Sequence, residues 1–169
     1  MVKLRLLILK DGGNVMNYFN ESIDIMNGLY GHDVVMPLAT VNDGKANLRL
    51  VNAYYKDKAF YITTYALSNK MIEIAINPYV AINNNLFVAH GLGENIGNPL
   101  NENNKELREE LRQVFCAFYP KHVNEKDKNT CILKIELDDA IVFDHDYKYV
   151  IDFKNEVSTR EECVIDIDF

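Results

Sequence analysis

The dipeptide Asp43-Gly44 separates two apolar, β-branched segments, Val34 to Val41 and Ala46 to Tyr55, and it constrains the fold more than any other feature of the chain. Asp and Gly both accept positive φ, so the pair predicts a tight two-residue hairpin and fixes these segments as antiparallel neighbours. A third segment, Ala59 to Thr64, follows directly after Lys56-Asp57-Lys58. Parallel strands need a crossover of a dozen residues or more, and no such length is available here. A meander is expected. Tyr79 to Ile82 and Leu86 to Gly91 extend it around Asn83-Asn84-Asn85, with further strands predicted over Cys131 to Leu137, Ile141 to Phe143 and Tyr147 to Phe153, and a last one over Cys163 to Phe169.

Three helices punctuate the strands. Tyr18 to Asn27 places Phe19, Ile23 and Met26 at helical spacing, with Asn17 as cap and Gly28 just past the end. Ser68 opens a short helix, Asn69 to Ile76, whose apolar face is read as Met71, Ile72, Ala75 and Ile76 with Glu73 outward, and Asn77-Pro78 stops it. Glu102 to Tyr119 carries the stripe Leu107, Leu111, Val114, Phe115 and Phe118 and is expected to end at Pro120. Strands with local turns and a few covering helices predict a mainly β fold, an antiparallel β-barrel with peripheral helices. One domain is expected over residues 16–169. Residues 1–15 form an N-terminal extension, readable either as a strand over Lys3 to Lys10 or as a segment outside the fold with Met16 as the natural start.

The net charge of −7 argues against a nucleic-acid footprint, because phosphate backbones select basic surfaces. Apolar runs such as Leu6 to Leu9 are too short to span a bilayer, and no cleavable signal is read, so a cytoplasmic protein without a membrane role is expected. Cys116, Cys131 and Cys163 are odd in number and widely spaced, which suggests neither a disulfide framework nor a zinc site.

On so acidic a chain, an anionic ligand needs a local site. Arg49 stands among Ala46, Leu48, Leu50, Val51 and Ala53, where a charge requires a partner. The guanidinium fork suits a phosphate, and a pair with Glu73 is the structural alternative. Strand residues Thr63 and Thr64 precede Ser68-Asn69-Lys70 at a helix start, where free N-H groups, a hydroxyl and an ammonium can converge on an anion.

The order Leu38-Ala39-Thr40-Val41, Gly44, Arg49-Leu50-Val51, Tyr61-Ile62-Thr63-Thr64, Ser68-Asn69-Lys70 and Asn77-Pro78-Tyr79-Val80-Ala81 resembles the pyridoxamine 5'-phosphate oxidase-like family of FMN-binding split barrels. The resemblance is closest over residues 34–93. It implies FMN as cofactor, with its phosphate held by Arg49, Ser68 and Lys70, Leu50 and Val51 facing the flavin ring, and Thr63 or Thr64 on ribityl or phosphate oxygens. It further implies a homodimer with two flavins in the interface and flavin-dependent oxidoreductase chemistry on an unidentified small substrate. Asn69 departs from the arginine common there and removes one charge from the pocket. Ser158 to Phe169 holds Arg160 but no histidine, which argues against true pyridoxamine 5'-phosphate oxidase activity. Two alternatives stay open on the same fold. One is a haem-binding or cofactor-storing protein, with His90, His122 and His145 as candidate ligands; the other is a deazaflavin-dependent reductase.

No catalytic side chain stands out. His90, late in its strand, is placed among the cofactor-site residues because it can reach a flavin or substrate, against the alternative of a structural histidine. The glycines of Gly91 to Gly97 are read as a bulge or close packing rather than a dinucleotide fingerprint, and Asp144-His145-Asp146 as a turn rather than a metal site.

Overall fold

The computed structural model describes residues 16–163. The extension over residues 1–15 and most of the strand expected from Cys163 to Phe169 lie outside the described residues. Eight strands follow one another as β1 (Val34–Asn42), β2 (Lys45–Lys56), β3 (Ala59–Tyr65), β4 (Tyr79–Asn84), β5 (Phe87–Asn95), β6 (Thr130–Asp144), β7 (Tyr147–Asp152) and β8 (Val157–Glu162). Helix α1 (Phe19–Tyr30) precedes them, and α2 (Asn69–Ile76), α3 (Lys105–Val114) and α4 (Tyr119–His122) lie between them.

All pairings are antiparallel in the order β3-β2-β1-β4-β5-β6-β7-β8, and β3 also pairs with β6 from Ala59↔Glu136 to Tyr65↔Thr130. That closure makes a six-stranded barrel of β1 to β6, with β7 and β8 continuing the sheet beyond it. The Asp43-Gly44 turn joins Asn42 to Lys45, with φ of 48° and 75° at its two centres. Asp57 and Lys58 make the next hairpin at φ of 49° and 65° without any glycine. Inward residues alternate with outward ones: Met36, Leu38 and Ala53 are fully buried, and the core gathers Tyr30, Phe60 and Phe87 in mutual aromatic contact beneath α1.

Several boundaries differ from expectation. The two strands read at Cys131 to Leu137 and Ile141 to Phe143 are one, β6, carrying a bulge: His90 pairs with Asp139 and Gly91 with Leu137, so Asp138 is the extra residue. A Cβ on Gly91 would stand 2.2 Å from the Glu136 carbonyl oxygen, and only glycine permits that approach. Helix α1 runs through Gly28 to Tyr30, and Asn17 Oδ1 accepts from the Phe19 N-H at 3.0 Å. The last described strand is β8, upstream of the predicted one.

The long helix is broken. Helix α3 stops at Val114, and after a turn α4 begins at Tyr119 with Pro120 in its first turn. Proline lacks the N-H that would bond the carbonyl four residues earlier, so it is accepted at a helix start and not inside one. Leu111, Phe115, Tyr119, Tyr54 and Ile132 form a second apolar cluster, which fixes this arm on the outside of β2 and β6. Among the described residues no helix is long and apolar enough to cross a membrane.

Candidate functional site

Strand β2 pairs with β3 only from Tyr54↔Tyr61 to Lys56↔Ala59. Beyond Tyr61, β3 stays with β6, while β2 stays with β1, so the two strands part and the β2 edge around Leu50 to Ala53 is left open toward β3. This is the split of the barrel. A cavity of about 380 Å³ fills it, lined by Leu50, Val51 and Asn52 from β2, Ile62 to Tyr65 from β3, Lys70 from α2, and Phe118, His122, Val123, Asn124, Asp127 and Thr130 from the α4 arm and the segment after it.

Some polar groups here are satisfied within the protein, as Asn52 is by Asp33 and Thr130 by the Asn124 carbonyl, and others are not. Thr63 is 8% exposed, yet its Oγ1 has no hydrogen bond; Ser68, half-buried and outside the cavity lining, likewise has a covered Oγ without a partner. Such groups cost stability unless something satisfies them. Ser68 occupies the cap position of α2 in extended conformation without making a side-chain cap bond, so its hydroxyl is not spent on the helix. Lys70 is in none of the ion pairs among the described residues. Burial, and after it the charge of Arg49, holds its ammonium below the usual lysine range. Burial also pushes the Cys131 thiol up to about 11, which makes it a packing group rather than a nucleophile.

The residues predicted for the site divide into two sets. Leu50, Val51, Thr63, Thr64 and Lys70 line the cavity. Asn69 is exposed at the start of α2. Arg49 points to the barrel interior, as its partner Leu38 does, and is engaged: Nη2 donates to Glu73 Oε2 at 2.8 Å and Nη1 to Thr40 Oγ1. Glu73 is therefore inward, contrary to expectation, because Arg49, Thr40 and Asn47 supply three donors for its carboxylate. Of the apolar face read from the sequence Met71 packs inward as expected, but Ile72, 50% exposed, Ala75 and Ile76, 72% exposed, turn outward, and Ile74 packs inward in their place. His90 lines a different cavity of about 710 Å³, where its Nδ1 is 2.8 Å from Asp139 Oδ1. His145 sits in the β6–β7 turn with φ of 50°.

The outer wall uses two residues that the sequence reading assigns elsewhere, Phe118 to a helical stripe and His122 to the candidate haem ligands. Phe118 and His122 stack with ring centroids 4.9 Å apart and 28° between planes, one helical turn from each other. Their four-residue spacing around Pro120 was the available signal.

Together the fold and site define a class, an antiparallel split barrel with a cavity in its split that holds a buried unpaired threonine hydroxyl and a lysine. Solved structures share this architecture. A FAD-binding protein from Mesorhizobium loti aligns at TM-score 0.56 and 16% identity, over 70% of this chain and 91% of that one. A proposed pyridoxamine 5'-phosphate oxidase from Listeria innocua gives 0.51 and 15%, over 71% and 94%, and an F420 reductase 0.50 and 19%, over 68% and 94%. The fold is that of the pyridoxamine 5'-phosphate oxidase-like split barrels. No protein-family profile matches the sequence, and no curated protein matches it.

Proposed function

We propose that the chain is a flavin-dependent oxidoreductase whose split cavity holds a riboflavin-type ring system, in the first place that of FMN. The observation that carries this reading is the meeting, in one cavity beside an open strand edge, of a buried, unsatisfied hydroxyl on Thr63 and a lysine, Lys70, that has no carboxylate partner among the described residues, with the unpaired Ser68 hydroxyl two residues before that lysine. In the reading the Leu50 to Asn52 backbone offers hydrogen-bonding groups to the ring, Thr63 and Thr64 meet the ribityl oxygens, and Lys70 and Ser68 hold the phosphate with Arg49 behind them. Bound flavin supplies the hydride and electron chemistry; the chain binds it, orients it and keeps water from one face. A deazaflavin is the second reading, favoured by the likeness to the F420 reductase. A cytoplasmic location accords with both.

The same reading includes a homodimer. Cross-strand partners share a face, so Leu48, Ala39, Ala81 and His90 form one row on the outside of the barrel, with Leu50 and Pro37 in the next. Leu48 is 70%, Leu50 68% and Tyr79 65% exposed on this face, far more apolar surface than an isolated barrel needs to show. Large side chains flank a strip of small ones, Ala39 and Ala81, so a second copy turned by a twofold axis can set its leucines over that strip.

The deciding experiment is a titration of the purified protein with FMN and with F420, followed in the visible spectrum, then anaerobic reduction with NADH or NADPH. Saturable binding with a perturbed spectrum and reducible cofactor is expected. A protein that binds neither compound at high micromolar concentration does not have this function.

A further inference from the structure

The cation expected to clamp a phosphate is already matched by an internal anion. The Arg49 and Glu73 side chains are only 23% and 9% exposed, and they meet at 2.8 Å. Both carboxylate oxygens are occupied: Oε2 by Arg49 and by the Thr40 hydroxyl, Oε1 by Asn47 Nδ2 at 2.9 Å. These bonds, that from Thr40 first, hold the Glu73 carboxyl below the ordinary glutamate range, so it stays ionised. Arg49 and Lys70 bring two positive charges to this end of the barrel and Glu73 removes one. Position 69, next to Lys70 in the chain, is a neutral asparagine. Lys70 is then the one cation left without a carboxylate partner here among the described residues, and Asp127 is the acid in the same cavity lining.

We propose that Glu73 is a specificity-determining residue that sets the site for a singly charged phosphate, so that a phosphodiester flavin is accepted as readily as the phosphomonoester FMN. A phosphomonoester carries about −1.5 to −2 charges near neutral pH, whereas a diester carries one. A site with two free cations rewards the second charge; a site with Lys70 alone does not, and the ring then contributes most of the affinity. The inference rests on the flavin reading above and specifies the ligand charge within it.

Three probes test it at pH 8 and low salt: riboflavin, FMN and the methyl ester of riboflavin 5'-phosphate. The wild-type protein should bind FMN and the methyl ester within about threefold of each other and both more tightly than riboflavin. Glu73→Gln keeps the side-chain volume and removes the charge, releasing Arg49 toward the phosphate, and should favour FMN over the methyl ester by about tenfold or more. The wild-type comparison needs no folded variant. A wild type that already prefers FMN over its methyl ester by more than about tenfold overturns the proposal, as does a folded Glu73→Gln protein with no gain for FMN. A wild type that binds riboflavin, FMN and the ester not at all overturns the flavin reading and this inference together.

Discussion

Arg49 on the second strand and Glu73 on the helix that closes the barrel meet at 2.8 Å, and this pair ties α2 to the sheet. Its contribution depends on pH. Hydrogen bonds from Thr40 and then Arg49 hold the Glu73 carboxyl below its ordinary value, so its folded pKa is lower than its unfolded one. Stability from such a group is fully present above the unfolded value of about 4.3 and is lost as pH falls through the folded value. Glu73→Gln should therefore unfold at lower urea concentration than wild type at pH 7, and the gap should narrow as pH falls below about 5. Urea titrations across that range check it; a gap independent of pH would deny the carboxylate this role.

The α3–α4 arm forms the outer wall of the cavity and is fixed by Phe115, which is fully buried against Tyr54, Leu111, Tyr119 and Ile132. Phe115→Ala should cost about 3–5 kcal/mol in urea unfolding, since a large core side chain is lost and a cavity left. Because Phe118 and His122 depend on the same anchor, flavin binding should weaken with it. A folded Phe115→Ala protein with unchanged flavin affinity would separate the arm from the site.

The hairpins at Asp43-Gly44 and Asp57-Lys58 and the strands around them are legible in the sequence because local turn chemistry and alternation dictate them, whereas the cavity residues Leu50, Val51, Thr63, Thr64 and Lys70 are reached through the order of the elements and the family resemblance. Two features are not legible. The inward turn of Glu73 follows from three donors on β1 and β2, distant in sequence, and a hydrophobic count over the helix assigns the opposite face. The break after Val114 is hidden because Phe115 and Phe118 continue the helical stripe while packing around a corner. Pro120 marks the break, acting on carbonyls upstream of itself rather than ending the helix where it stands.

Thr63 offers a test in which stability and affinity move in opposite directions. Its Oγ1 is buried without a partner, so the protein alone bears the cost of a desolvated hydroxyl. Thr63→Val keeps the shape, removes the hydroxyl and should stabilise the ligand-free protein by about 1 kcal/mol. If the hydroxyl serves the ribityl or phosphate oxygens, FMN binding should fall about five- to tenfold. Thermal melts with and without FMN read both effects. Weaker stability with unchanged binding would mark Thr63 as an ordinary core residue.

Leu48 projects from the outer face of β2 at 70% exposure, opposite Ala39 in the same row and outside the core of its own chain, and the proposed dimer sets it against a second copy. Surface substitutions away from packed features change stability by no more than about 0.5 kcal/mol, so Leu48→Glu should leave the fold of one chain intact. At a twofold interface the substitution acts twice, desolvating a carboxylate in each copy against apolar residues of the other. Sedimentation velocity should therefore find a dimer for wild type and a monomer for Leu48→Glu at the same concentration, with matching far-ultraviolet circular dichroism. Flavin affinity measured on both proteins then reveals whether the second copy completes the cavity: a folded monomer that binds as tightly as wild type places every ligand contact within one chain. A Leu48→Glu protein that remains dimeric removes this face from the interface.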